Sequence, residues 1–462
     1  MISQNGESPL QARVRGHTRR ARRESAFFFG AFRFTGNRTA LDGRRPCTTG
    51  STAVQSPNEN GQKSQNREIF HAKRKVTGAG IFSTKNSEAG GDCWRAAKPV
   101  HFQVIVAQID IKSLQLAELE GKVRELGEPS YRARQIIDWL YQKRVRSFDE
   151  MTDLPLEFRS RLAQEFSFSK LDIVRVLGSR DTTRKFLFRF ADGNLIESVL
   201  IPASPALYGS RSDRRTICVS TQVGCAYGCK FCASGLEGFS RNLNANEIVD
   251  QIIAVEHESG EKIDNIVFMG MGEPLANFDN LLRAIRIINA PWGLGIGARH
   301  ITLSTSGLAP QIQKLADEPL QVRLAISLHG ATDAVRSQIM PINRRYNLDK
   351  LLAACDYYTK RKKQRLTFEY ILIANVNDSP EQARKLAVIA RRLGAKVNLI
   401  PYNTVQGLQW SRPSPEQQAQ FLSIVCAAGV PATLRREKGH DIDAACGQLR
   451  LQTKRALETA TS

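Results

Sequence analysis

At 462 residues the chain is longer than one ordinary hydrophobic core accommodates, so two or three structural units are expected. It has no unbroken apolar run of the ~18 residues that a membrane-spanning helix needs, which argues against a helical membrane protein. A formal net charge of +21 fits an anionic polymer as partner or, equally, a merely basic soluble surface; nine cysteines are too sparse for a disulfide scaffold, and their clustering indicates metal or redox chemistry in a reducing compartment.

Residues 1–105 are set apart by composition. ARVRGHTRRARRES and HAKRKV are arginine- and lysine-rich, STAVQSPNENGQKSQN is polar, and about half of the net positive charge falls in this segment. Too little apolar surface is available to offset the entropy of ordering it, so the segment is expected to be disordered. An organellar transit segment (hence a plastid location), a basic tail that touches RNA and an extension upstream of the true start are all open; its apolar run is too weak for a secretory signal.

From Ile109 the pattern becomes helical. LQLAELEGKVRELG ends in Lys, Arg and Gly, a helix-stop composition. YRARQIIDWLYQKRV places Ile136, Ile137, Leu140 and Tyr141 on one stripe, and LPLEFRSRLAQEF adds a third helix. Residues 106–175 therefore read as a small helical accessory unit. Its arginine-rich face suits RNA, and suits an ordinary solvated surface as well. KFLFRF and NLIESVLIP then read as alternating strands joined by Ala-Asp-Gly, a hairpin linking the units over 176–212, with Glu197 in its second strand.

The stretch ICVSTQVGCAYGCKFCASGLEGFSR, Ile217 to Arg241, carries Cys225, Cys229 and Cys232 as C-x-x-x-C-x-x-C. Three thiolates that close in sequence can face one point and leave one iron of a four-iron cluster without a protein ligand. An iron left open in this way is a place for chemistry. Cys218, seven residues upstream, lies outside that spacing.

Beyond Cys232 strands and helices alternate. ANEIVDQIIAVEHESG is amphipathic, with Asn244 and Glu247 spaced as a capping box. Strands NIVFMG, HITLSTSG, VRLAISLH, LTFEYILI, KVNLIPYN and ATLRR follow, separated by helices of about ten to fifteen residues, the pattern of right-handed βαβ units on a parallel sheet. Counted from TICVST there are six or seven strands, too few for a closed eight-stranded barrel. The fold class is therefore α/β, an incomplete TIM-like barrel over 213–452, with a helical accessory unit before it and a tail over 453–462. Gly272, Glu273, Ser304, Ser327, His329 and Asn403 fall at successive strand ends, where parallel α/β folds bind ligands. Cys446, in GHDIDAACGQLR, has small neighbours that would let another molecule approach its sulfur; a reactive and a structural role are both open. Cys355 and Cys426 sit in helical patterns and read as core fillers.

CAYGCKFC, with an aromatic before its last cysteine and GMGEP downstream, is the signature of radical S-adenosylmethionine (SAM) enzymes. Together TICVSTQVGC, FMGMGEPL, STSG, SLHG, LIPYN and DIDAACGQL resemble the family that methylates carbon 2 of an adenosine in 23S rRNA. The resemblance runs from about Ile109 to Leu451 and includes dual-specificity members that also act on an adenosine of transfer RNA anticodon loops. It implies one [4Fe–4S] cluster on Cys225, Cys229 and Cys232, closed by SAM. Gly272 and Glu273 would meet the methionine amino group, and Ser304, Ser327, Leu328, His329 and Asn403 would line the rest. Cys446 would accept a methyl group from one SAM, and a second would be cleaved to a 5′-deoxyadenosyl radical. Cys218 would later pair with Cys446 in a transient disulfide, and Glu197 would take the proton from carbon 2.

That chemistry has a reason. Carbon 2 of adenine is electrophilic and cannot simply attack a sulfonium methyl, so carriage on a thiol divides one difficult transfer into two feasible ones. The resemblance also implies 23S rRNA and tRNA as partners, an electron donor such as flavodoxin or ferredoxin, a monomer, no membrane and a cytoplasmic location. Methylation of carbon 8 of the same adenosine is the alternative regiochemistry. A cluster-bearing RNA-binding protein without methyl transfer is the alternative class.

Overall fold

The computed structural model describes residues 108–203, 214–236, 238–405, 408–435, 450 and 453. Residues 1–105 and Cys446 lie outside them, so the expectations on the extension and on a Cys218–Cys446 pairing fall outside the described structure.

The N-terminal unit comprises β1 (Ile109–Asp110), α1 (Leu116–Glu125), α2 (Tyr131–Asp138), α3 (Leu156–Glu165) and β2 (Phe166–Ser167). β1 pairs in parallel with β2, bringing the two ends of the unit together. In α1 a capping box of Gln115 and Glu118 satisfies orphan N–H groups, while Leu119 and Val123 bury one face. The stripe of Ile136, Ile137, Leu140 and Tyr141 is buried as the periodicity requires. A π-turn over Trp139–Lys143 prolongs α2 until Arg144, at φ 56°, ends it. Two ion pairs fasten this unit to residues further along the chain, the buried Lys112–Asp250 at 2.6 Å and the half-buried Arg144–Glu256.

Next come β3 (Asp172–Gly178), β4 (Arg184–Arg189), β5 (Leu195–Pro202) and β6 (Arg215–Cys218), then a small antiparallel pair, β7 (Gln222–Gly224) and β8 (Phe239–Asn242). The alternating part runs α4 (Ala245–Ser259), β9 (Asn265–Phe268), α5 (Phe278–Asn289), β10 (Ile301–Thr305), α6 (Ala309–Asp317), β11 (Arg323–Ser327), α7 (Asp333–Ile339), α8 (Leu348–Lys362), β12 (Thr367–Leu372), α9 (Pro380–Arg392), β13 (Lys396–Pro401), α10 (Pro415–Ala427) and β14 (Ala432–Leu434). The capping box at Asn244 and Glu247 is present at the start of α4.

One sheet of ten strands carries the fold, in the order β14-β13-β12-β11-β10-β9-β6-β5-β4-β3. β6 and β9 to β14 are parallel neighbours, whereas β3, β4 and β5 are antiparallel. β3 and β14 are its edges, so the barrel is open, as the strand count required. The hairpin expected as a linker differs in one respect. β5 pairs with β6, Val199 opposite Cys218, so the hairpin extends the sheet and shields an edge that β6 would otherwise expose. It gains a further strand, β3, that the sequence pattern did not signal. Nor does β5 alternate: Leu195 to Leu200 are all buried.

Strand parity separates core from cavity. Ile266, Phe268, Ile301, Leu303, Leu324, Ile326, Phe368, Tyr370, Val397 and Leu399 are fully or almost fully buried and belong to the main core with Leu281, Ile285, Leu315 and Leu386 of the helices. Each such side chain contributes on the order of 1.5–3 kcal/mol. The intervening Val267, Thr302, Ser304, Ala325, Ser327, Thr367, Glu369 and Asn398 line cavities inside the sheet's curve. Cys355 is a core residue as expected, but Cys426 is exposed. The buried stripe of α10 runs through Gln418, Phe421 and Val425, and the next residue falls off it.

Candidate active site

The C-x-x-x-C-x-x-C segment is held between β7 and β8. Gly224 has φ +75°, and a Cβ there would collide with the Gly238 carbonyl, so glycine alone allows the two strands to approach. Cys225 N donates to Gly238 O at 2.8 Å, Cys232 N to Cys229 O at 3.1 Å, and Lys230 N to Ile339 O at 2.9 Å, which pins the loop against the end of α7. All three cysteines line a cavity of about 250 Å³ and lie near enough to feel one another's charge.

Burial pushes the Cys225 thiol up to about 12 and the Cys229 thiol well above its ordinary value. Thiols so placed are neutral unless a cation offsets the desolvation, which iron does. Among the described residues, no three His, Cys, Asp or Glu groups gather tightly enough for a single metal ion. Thiols spread around a cavity suit a polynuclear cluster, whose irons sit at separate corners. The donor set therefore fits the implied cluster.

Gly272, Glu273, Ser304, Ser327 and His329 line the same cavity. Gly272 follows β9 at φ +96°, and a Cβ there would lie 2.5 Å from Gln222 Cβ. The buried Glu273 carboxylate accepts from Ser306 N at 2.7 Å and Leu275 N at 3.0 Å, while its own N–H donates to Gln222 Oε1 at 2.8 Å. Burial still outweighs these bonds and raises its pKa, so an incoming ammonium group would find a fixed and under-compensated charge. Ser304 and Ser327 Oγ are 3.5 Å apart on neighbouring strands. His329, at φ 54°, accepts from Ile371 N at Nδ1 (3.0 Å), so its proton resides on Nε2. Burial, aided by the Arg336 charge, lowers its pKa to about 3, and its ring meets Phe231 edge-on at 4.7 Å.

Two expected contacts are not gathered here. Leu328 is buried and not among the lining residues; its N–H donates to Glu369 O and its carbonyl accepts from Arg336 Nε at 3.1 Å. Asn403 is also outside the lining, and its side-chain oxygen accepts from Arg412 at 2.6 Å.

Cys218 and Glu197 share one face of the sheet. Thr216 and Ile201, register partners on β6 and β5, line a second cavity of about 680 Å³, and Cys218 and Val199 are the next pair on that face. Glu197 lies two residues before Val199 on the same strand. Its Oε2 pairs with Lys185 Nζ at 3.0 Å, and both side chains are essentially inaccessible; Oε1 accepts from Arg450 N at 2.5 Å. Arg450 closes the GHDIDAACGQLR stretch that contains Cys446.

Sequence reasoning missed several lining or supporting residues. Glu369 lines both cavities, and its signal was legible: a carboxylate inside the apolar run LTFEYILI. Arg336 is fully buried and donates to Ser306 O (2.5 Å), Leu328 O and Asn343 Oδ1 (2.8 Å). It arises from α7, an element the pattern did not announce. Gln222, at the start of β7, accepts from Glu273 N through Oε1 and donates from Nε2 to Asn242 Oδ1 at 2.7 Å.

The family model of the radical SAM superfamily matches residues 219–387, and that of the ribosomal RNA large subunit methyltransferase N-terminal domain matches residues 109–167. A protein named "probable dual-specificity RNA methyltransferase RlmN" from Akkermansia muciniphila is 53% identical over 359 residues, spanning 78% of this chain and 98% of that one. A namesake from Opitutus terrae is 55% identical over 350 residues, spanning 74% and 94%. A radical SAM methyltransferase from Sphaerobacter thermophilus superposes with a TM-score of 0.69 at 46% identity, covering 74% of this chain and 98% of its own. The superfamily match brings with it a [4Fe–4S] cluster and the use of SAM. This chain belongs to the RlmN family of radical SAM RNA methyltransferases.

Proposed function

We propose that the protein methylates carbon 2 of an adenosine in 23S rRNA and of an adenosine in transfer RNA, using one cluster per chain and two SAM molecules per turnover. The observation that carries this reading is the continuous likeness to dual-specificity RNA methyltransferases across nearly their whole length. When bound, the cluster and SAM supply one-electron chemistry that a protein side chain cannot. The chain's own residues supply the rest. Cys225, Cys229 and Cys232 hold the irons; Gly272 and Glu273 receive the amino group of SAM; Ser304, Ser327 and His329 line the remainder, with Leu328 and Asn403 in supporting positions.

Cys446 takes the methyl group by displacement, its sulfur gaining the carbon as the sulfonium bond breaks. Glu197 takes the proton that leaves carbon 2, exchanging a present hydrogen bond for it. Cys218 attacks the sulfur of Cys446 as the product's carbon–sulfur bond breaks. We place the enzyme in the cytoplasm as a monomer served by a flavodoxin- or ferredoxin-type reductant; among the described residues no helix is long and apolar enough to cross a membrane.

The test is anaerobic reconstitution on protein-free 23S rRNA fragments deuterated at carbon 2, read by mass spectrometry of the nucleoside. Loss of deuterium from ring carbon 2 with gain of a methyl group there is expected, and Cys446→Ala and Cys225→Ala should each abolish it. Methylation by Cys446→Ala would refute the thiol carrier, and a methylated product that still carries deuterium on ring carbon 2, as distinct from its methyl group, would assign carbon 8.

A further inference from the structure

At the end of the sheet opposite the cluster loop, the larger cavity opens among cations. Arg214 precedes β6, Arg299 precedes β10, Arg323 begins β11, Arg365 precedes β12 and Lys396 begins β13, and all of them line that mouth. Arg299, Arg323, Arg365 and Lys396 are exposed, and among the described residues none has a hydrogen-bonded or ion-paired partner on its side chain. Four uncompensated cations around one opening repel one another unless an anion joins them, and the local field is attractive to polyanions.

The mouth leads inward. Met269, Glu369 and Arg435 line both this cavity and the one with the three cysteines, so the two abut. Ile201 and Thr216 belong to the wall of the larger cavity, on the same β5–β6 face that carries Cys218 and Glu197 further along. A nucleotide with its phosphates at the rim would present its base towards that wall. A base paired in a duplex cannot make this entry, so the strand at the rim has to be unpaired.

The helical unit contrasts with this. Arg132 and Arg161 share the carboxylate of Glu128, and Arg144 pairs with Glu256, so two of these three charges are compensated. Arg124 and Arg134 are its exposed arginines without a partner.

We infer that the cationic rim formed by Arg299, Arg323, Arg365 and Lys396 is the principal phosphate-docking surface for an unpaired RNA segment, and that the helical unit contributes less of the electrostatic attraction. The inference rests on the RNA-methylating reading above and adds where the RNA enters. Each phosphate contact to a single strand contributes ~0.7 to the slope of log affinity against log salt, roughly fivefold in affinity at 0.1 M salt.

The experiment measures binding of a stem-loop RNA to the full-length reconstituted protein across 0.05–0.3 M salt, roughly the range over which such slopes are resolved. The variants are R299Q/R323Q/R365Q/K396Q and, in parallel, R124Q/R134Q. The rim variant should lose roughly 3 units of slope and at least a hundredfold in affinity at 0.1 M salt. It should retain RNA-independent reductive cleavage of SAM, which reports an intact cluster site. R124Q/R134Q should lose less than half as much slope. An unchanged slope in the rim variant, or the larger loss in R124Q/R134Q, overturns the inference. If the unaltered protein cleaves SAM but binds no RNA at all, the underlying functional reading fails first.

Discussion

Replacing Lys112 with methionine removes a charge from the seam between the helical unit and the barrel while keeping most of the side chain's apolar stem. Lys112 Nζ lies 2.7 and 2.6 Å from the two carboxylate oxygens of Asp250 and 2.8 Å from Ser169 O. The residues are only 6% and 5% exposed, so neither charge has water to fall back on. Breaking such a pair from one side costs about 3–5 kcal/mol, because the remaining carboxylate is stranded. Even with the lysine present, burial raises Asp250 to about 6, against ~3.9 for a free aspartate.

The sign follows from that direction. Between about pH 4 and 6 the folded protein binds more protons at Asp250 than the unfolded chain does, so this site's contribution to stability falls as pH rises through 6. Without Lys112 the carboxyl moves higher still and takes up a proton near neutrality. Lys112→Met should therefore cost about 3–5 kcal/mol at pH 8, and its deficit relative to wild type should shrink by roughly 2 kcal/mol at pH 5. Urea unfolding of the cluster-free protein, followed by far-ultraviolet circular dichroism at both pH values, measures this. Adding Asp250→Asn to the variant should recover most of the loss at pH 8. A cost under about 1 kcal/mol at pH 8, or an equal deficit at both pH values, would refute the stranded-charge argument.

Two other perturbations probe the site. His329, lowered to about 3, stays neutral in the fold while the unfolded chain protonates near 6.5, so stability should rise with pH over that interval. His329→Gln should flatten this acid limb by ~1.4 kcal/mol per pH unit in unfolding measurements between pH 4.5 and 6; an unaltered limb would show that the histidine is not desolvated as described. Gly272→Ala forces a Cβ against Gln222 at a backbone angle unsuited to it, so a loss of about 2–3 kcal/mol and a greater than tenfold weakening of SAM binding by equilibrium dialysis are expected. Gly178→Ala, with nothing within 4 Å of the added carbon, should change stability by less than ~1 kcal/mol, and similar effects at the two glycines would sink the argument.

Much of this was legible before any coordinates. The three cysteines gathered on one cavity, the strand-end Gly272, Glu273, Ser304, Ser327 and His329, the capped α4 and the open parallel sheet all follow from local spacing and periodicity, which act over a few residues. The integration of the hairpin into the sheet was not legible, since β5 is buried from Leu195 to Leu200 without the alternation that marks a half-exposed strand, and its pairing with β6 is a tertiary choice. Asn403 and Leu328 illustrate a second limit. Their place at strand ends was visible, but whether a side chain meets the cavity depends on its tertiary surroundings: Arg412 engages the Asn403 side chain, and the Leu328 side chain packs in the main core.

By itself, then, the order of residues determined the chemistry available: three thiols on one loop, a reactive-cysteine candidate far downstream, and enough alternating segments for a partial barrel. Tertiary structure alone decided which groups face one another. Strand parity set Cys218 and Glu197 on the same inner face, burial paired Glu197 with Lys185, and register collected arginines from separate strands around one mouth. The physical reason is that desolvation and charge coupling depend on distances through space, which residues far apart in the chain acquire only when the strands assemble into the sheet.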